Sequence, residues 1–132
     1  MILADSNVLL DWLTHDPHWF QWSSTALTQA AHDEGLAINA VIYAEVSVGY
    51  VAAADVEQAL PPNWFTRREI LYEAAFLAGT CFAPYRNRGG VRRSPLRDFF
   101  IGAHAVVAGM KLLTRDRARY QTYFPTLQLI TP

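Results

Sequence analysis

Short runs of apolar residues alternate with longer amphipathic stretches along the chain, and the breaks fall at glycine, proline and acidic positions. Residues 1–4 are apolar throughout and stop at Asp5. Such a short, uninterrupted run predicts a strand buried on both faces. Residues 36–39, which follow Gly35, residues 112–114 and residues 127–130 read the same way. Between them the helical period predicts helices at about 7–13, 19–33, 40–53 and 56–60, the last stopped by Pro61 and Pro62. A long helix is expected from about 69 to 86, with Gly89 and Gly90 breaking the pattern after it. Another begins at Asp98 with Phe99, Phe100 and Ile101, and a last one covers about 117–123.

Alternation of this kind builds a parallel sheet covered by helices on both faces. The expected fold is therefore α/β, a three-layer αβα sandwich with a central, mainly parallel sheet. At 132 residues, 52% apolar and 17% charged, the chain can fill a core and is expected to form a single domain over 1–132. The one cysteine, Cys81, has no internal partner and reads as core packing, which suits a reducing, cytoplasmic setting. Asp5 and Asp11 interrupt the first apolar stretch and no basic leader precedes it, so neither a signal peptide nor a membrane span is expected.

Four acids stand out by their surroundings. Asp5 ends the first strand and Asp116 follows the strand at 112–114, and in open α/β sheets ligands bind in the crevice at the carboxyl ends of strands. Glu45 lies in a segment apolar on nearly every helical face, where an unpaired charge would be costly to bury. Asp98 falls in the first turn of its helix, where the dipole favours an anion. Taken singly, Asp5, Asp98 and Asp116 each fit an ordinary role as a helix cap or first-turn charge. Taken together, four carboxylates around one point stay ionised only beside a cation, and oxygen ligands alone select Mg²⁺ or Mn²⁺ over zinc. Asp5, Glu45, Asp98 and Asp116 are thus the expected metal ligands and catalytic residues. Ser6, Asn7 and Thr114 are expected to orient a carboxylate or a water through hydrogen bonds.

The order and spacing of these residues carry a family resemblance. The opening Asp5, Ser6, Asn7, Val8, Leu9, Leu10, Asp11 resembles the Asp-Thr-Asn start of PIN-domain ribonucleases of the VapC toxin type. Glu45 with Gly49 resembles the second acidic motif of that family, the run from Asp98 to Ala105 its third, and Thr114, Arg115, Asp116 its fourth. The aromatic stretch from Tyr120 to Phe124 before Pro125 is similar to the family's closing segment. The resemblance spans essentially the whole chain. It implies a PIN-like fold and a metal-dependent endoribonuclease that is the toxin of a toxin–antitoxin pair. It also implies a cognate antitoxin, a homodimer and a larger toxin–antitoxin assembly. Two positions depart from the pattern. Arg117, Ala118 and Arg119 stand where some relatives carry a further acid, and His104 replaces a small or polar residue and reads as a packed or surface histidine.

Charge distribution adds to this more than the net charge of −1 does. Of eleven basic residues, Arg86, Arg88, Arg92, Arg93 and Arg97 fall within one short stretch, and Lys111, Arg115, Arg117 and Arg119 surround the fourth acid. Arginines at a rim suit RNA phosphates, and Arg86, Arg88, Arg92, Arg93 and Arg115 are the candidate RNA-binding residues. The bland reading of the same stretch is a solvated basic loop. Trp12, Trp19, Phe20 and Trp22 read as core or as a partner interface, and His15 and His18 lack the further ligands a zinc site needs. Two other readings compete. A PIN-like DNA nuclease would use the same acids, and an inactive PIN-like domain would bind RNA or a protein partner without cutting. A phosphotransfer receiver also puts acids at strand ends but needs a mid-chain acceptor aspartate and a late lysine, and no phosphate-binding glycine loop supports a nucleotide cofactor.

Overall fold

The computed structural model describes residues 1–87 and 96–132, with side chains described for all of these except 85–87. Five strands, β1 (Ile2–Ala4), β2 (Leu36–Ile38), β3 (Phe65–Arg67), β4 (Lys111–Leu113) and β5 (Leu129–Ile130), form one sheet in the order β3-β2-β1-β4-β5. Every neighbouring pair is parallel. The helices are α1 (Ser6–Leu13), α2 (Phe20–Asp33), α3 (Ala40–Ser47), α4 (Ala53–Ala59), α5 (Tyr72–Asn87), α6 (Leu96–Ala108) and α7 (Arg117–Tyr123). They cover both faces of the sheet, giving the expected three-layer α/β sandwich.

The central strands are apolar because they have no wet face. Ile2, Leu3, Ala4, Leu36, Ala37, Ile38, Leu112 and Leu113 are all buried and belong to one hydrophobic cluster with Val8, Leu9, Ile42, Phe99 and Ile101. The chain order then fixes where a site can form. From β1 the sheet grows outward through β2 and β3, and the chain returns to the other side of β1 to lay down β4 and β5. The direction of growth reverses between β1 and β4, whose ends are in register at Ala4 and Leu113. Asp5 continues that ladder by donating its N–H to the Leu113 carbonyl at 2.9 Å. Ligands in open parallel sheets bind at such a switch point.

Three elements differ from the pattern read along the sequence. β3 is an added strand: of its residues only Phe65 is buried while Thr66 and Arg67 are exposed, as befits a sheet edge with no apolar alternation to announce it. The helix expected over 40–53 ends at Ser47, and a separate α4 begins at Ala53. Tight turns close the end, Gly49 N–H to the Val46 carbonyl and Tyr50 N–H to the Ser47 carbonyl. Val48 and Val51 point into solvent with nothing to bury against. Cys81, expected in the core, is half-buried, its Sγ 3.9 Å from the Tyr123 carbonyl. Glycine matters at Gly35, whose φ of +85° turns the chain from α2 into β2 at a cost only glycine escapes.

Gly102 is held by space rather than by conformation. A Cβ placed there would lie 2.4 Å from the Phe124 ring, which is itself buried and packed against Phe99. Gly102→Ala should therefore lower unfolding stability by roughly 1–3 kcal/mol in urea titration, outweighing the gain of about 1 kcal/mol in helix propensity. A stabilised variant would show that the Phe124 ring is free to move aside.

Candidate active site

Asp5 is the residue on which the site is built. It ends β1 and caps α1, its Oδ1 accepting the Ser6 N–H at 2.8 Å. Only 3% of it is exposed. Its Oδ2 accepts the Thr114 hydroxyl at 2.7 Å and the Tyr120 phenol at 3.2 Å. All of these donors are neutral. Burial raises the Asp5 pKa to about 7, and the nearby charges of Asp98 and Glu45 push the same way, against the hydrogen bonds from Thr114 and Tyr120. Among the described residues Asp5 is thus a carboxylate with hydrogen bonds but no cation.

The other three acids arrive from three different helices and each meets a base. Glu45, in α3, accepts the Ser6 hydroxyl at 2.7 Å and pairs with Arg97 at 3.3 Å. Asp98, in the first turn of α6, is paired with Arg119 of α7. Burial raises its pKa too, with Glu45 and Asp116 adding to the rise and Arg119 opposing it. Asp116 caps α7 by accepting the Arg119 N–H at 3.3 Å, and its Oδ2 lies 3.6 Å from Nη1 of the same arginine. Capping and clustering therefore turn out to be compatible: Asp5 and Asp116 do both.

The hydroxyls and amide expected to orient the acids are present, each in a distinct role. Ser6 has one proton, and it goes to Glu45 at 2.7 Å, Asp5 Oδ1 lying at 3.5 Å. Thr114 gives its proton to Asp5 while its oxygen accepts from the Asn7 amide at 3.3 Å and the Asp116 N–H at 3.0 Å. Asn7 touches none of the four acids directly. It joins Thr114 to the Arg115 N–H, which its Oδ1 accepts at 3.3 Å, and so locks α1 to the β4–α7 connection.

Several residues in or around this site have partners that the sequence did not assign them. Tyr120 is 1% exposed and holds Asp5, though its position in an aromatic stretch signals only packing. Arg119 bridges Asp98 and Asp116. Asp11, buried on α1, takes a two-point ion pair from Arg115 at 2.7 and 3.0 Å and the Ser23 hydroxyl at 2.7 Å. The Arg115 guanidinium also lies over Trp19, 4.9 Å from the ring centre. His104 is packed, 3% exposed, with Nδ1 2.9 Å from the Asn39 amide, whose other atom caps α3 at Ile42. Burial and the charge of Arg68 depress the His104 pKa. Among the candidate RNA-binding residues, Arg88, Arg92, Arg93 and the Arg86 side chain lie outside the described residues.

Whether the donors suit a metal is a matter of type and of arrangement. In type they are carboxylate and hydroxyl oxygens, and among the described residues Asp5 lacks a cationic partner, which fits a hard divalent ion. In arrangement Arg119 and Arg97 already hold three of the acids, and among the described residues no three His, Cys, Asp or Glu side chains form a ready chelate.

The raised Asp5 pKa has a defined consequence for stability. Between the ordinary carboxylate range near pH 4 and about pH 7 the folded chain holds a proton on Asp5 that the unfolded chain has released. Stability from this group is full below that window and is lost as pH rises through it. In EDTA, urea unfolding at pH 5 and pH 8 should show wild type losing roughly 3 kcal/mol relative to Asp5→Asn across the range. A constant difference between the two proteins would mean that Asp5 titrates normally.

Comparison with known proteins agrees with this geometry. The model of the family described as PIN domain matches residues 2–125. Among curated proteins no sequence matches the chain. In fold the chain is similar to VapBC2 from Rickettsia felis, solved bound to a promoter DNA fragment, with a TM-score of 0.75 at 17% identity, covering 100% of this chain and 99% of that one. It is similar to FitAcB from Neisseria gonorrhoeae at a TM-score of 0.73 and 18% identity, covering 100% and 98%. A toxin–antitoxin complex from Klebsiella pneumoniae gives 0.69 at 23% identity, again covering 100% and 98%. With its acids gathered at the switch point of a parallel sheet and a family match over almost its full length, the chain belongs to the PIN domain family.

Proposed function

We propose that this chain is a metal-dependent endoribonuclease, the toxin of a toxin–antitoxin pair, working in the cytoplasm as a single PIN-like unit. The observation that carries the reading is Asp5: a buried carboxylate at the sheet's switch point, coupled to Glu45 and Asp98 and, among the described residues, bonded only by neutral donors. The structural neighbours that are toxin–antitoxin complexes support the biological setting.

Asp5, Glu45, Asp98 and Asp116 would hold Mg²⁺ or Mn²⁺. When bound, such an ion supplies charge that eases the ionisation of water and stabilises the charge developing on a phosphodiester. The chain's own residues do the positioning. Thr114 and Tyr120 fix Asp5 Oδ2, so the carboxylate cannot turn away, and Ser6 holds Glu45 toward it. Arg86, Arg88, Arg92 and Arg93 would hold RNA phosphates at the rim, Arg115 contributing charge from its fixed position on Asp11.

For the antitoxin, the chain offers an apolar groove of about 530 Å³ between α1, α2, α4 and β3, lined by Trp12, Leu13, Leu27, Ala31, Trp64 and Phe65. Trp64 is 59% exposed at its edge, a large apolar side chain that a partner's hydrophobic segment would cover. Leu71, Tyr72 and Phe76 form a second exposed apolar surface that suits a homodimer.

Purified chain should cut a mixed tRNA and ribosomal RNA pool into discrete fragments with Mg²⁺ or Mn²⁺, and not with EDTA. Asp5→Asn and Asp98→Asn should each reduce cleavage at least a hundredfold with the fold intact. Wild-type activity in either variant removes that residue from the mechanism. Cleavage of DNA instead of RNA would favour the DNA-nuclease reading, and metal-independent RNA binding without cleavage the inactive-domain reading. Co-expressed with its antitoxin, Trp64→Ala should separate from it on size-exclusion chromatography, where light scattering also reads the homodimer and the larger assembly. A complex as tight as wild type would place the antitoxin elsewhere.

A further inference from the structure

The acid cluster divides into two unlike halves. Asp5 and Glu45 both lie beside the Ser6 hydroxyl, which bonds Glu45, and among the described residues no cation pairs with Asp5. Asp98 and Asp116 share a cation that the chain itself provides, because Nη1 of Arg119 is paired with Asp98 Oδ2 and lies 3.6 Å from Asp116 Oδ2. We propose that Arg119 is the resident counter-ion of Asp98 and Asp116 and competes with a divalent cation for them, so that this side chain sets the ion concentration at which the site fills. The inference rests on the metal-dependent reading given above.

Three features make Arg119 a replaceable partner rather than a fixed strut. Its backbone is held independently of its guanidinium, for its N–H is bound to Asp116 Oδ1 and the next residue, Tyr120, is buried with its phenol on Asp5. The side chain can therefore leave without disturbing α7. It is also 30% exposed, so water is available to the guanidinium on release. And the oxygens it occupies belong to two of the proposed ligands, so a small doubly charged ion and a guanidinium cannot both approach them closely. Arg97 guards Glu45 differently, from the rim, with 57% of its side chain in solvent. Arg117 has the same charge on the same helix but spends it on the Thr131 hydroxyl at 3.0 and 2.7 Å. It is the natural control for a long-range effect of charge.

Calorimetric titration of the metal-free full chain with Mn²⁺ tests this without reference to cleavage. Arg119→Gln should bind Mn²⁺ roughly tenfold or more tightly than wild type, as loss of a charged hydrogen-bonded competitor requires. Arg119→Lys should fall between the two, and Arg117→Gln should stay within about twofold of wild type. In the unaltered chain, Mg²⁺ should shift the Arg119 side-chain Nε resonance, assigned by its disappearance in Arg119→Gln. Equal tightening by Arg117→Gln, or no tightening by Arg119→Gln together with an unmoved resonance, overturns the proposal. If wild type binds Mn²⁺ in a way that Asp98→Asn abolishes while Arg119→Gln changes nothing, only the competition is wrong. If no variant shows binding that depends on Asp98, the metal reading falls and takes the competition with it.

Discussion

Bringing like charges together around one buried carboxylate is the constraint to which the rest of this fold answers. Asp5 lies at the end of a strand whose every residue is buried, and the nearest other acids are Glu45 and Asp98. Left alone, such a group would be strongly unfavourable when ionised. The chain manages it with neutral donors placed by three separate segments: the Ser6 N–H at the start of α1, the Thr114 hydroxyl after β4 and the Tyr120 phenol in α7. The remaining charge is offset by arginines on Glu45, Asp98 and Asp116.

Holding that arrangement requires the surrounding helices to keep fixed positions, and polar ties do this where apolar packing alone would allow sliding. Asn39 joins the start of α3 to His104 on α6, so the helix bearing Glu45 is pinned to the helix bearing Asp98. Asp11, Ser23 and Arg115 join α1, α2 and the β4–α7 connection through one buried carboxylate. Asn7 makes a second tie along the same seam through Thr114 and the Arg115 backbone. Aromatic packing closes the far side, with Phe99 against Phe82, Tyr123 and Phe124. Among the described residues no buried side-chain oxygen or nitrogen is left without a hydrogen-bond partner, as a site of this polarity inside a core demands.

Legibility along the sequence follows how local the cause is. The central strands announced themselves because burial on both faces forces continuous apolar runs, and Asp5 and Asp116 stood out because each ends such a run. β3 did not, since an edge strand needs only one buried residue, and Phe65 alone makes no pattern. The overlong reading of the helix after residue 40 has the same root: Val48 and Val51 look like core by composition, and only the absence of anything to pack against them leaves them in solvent.

By itself, the sequence determined the alternation of strands and helices, the parallel sheet and the four acids, because periodicity, strand ends and charge in apolar surroundings are properties of neighbouring residues. Which partner each acid has was decided by the tertiary structure. Tyr120 on Asp5, Arg119 between Asp98 and Asp116, His104 on Asn39 and Arg115 on Asp11 join positions 115, 21, 65 and 104 residues apart, or within one turn for Asp116. For the distant pairs the physical reason is the reversal of strand order between β1 and β4, which brings residues from both ends of the chain to a single crevice that no local pattern can specify.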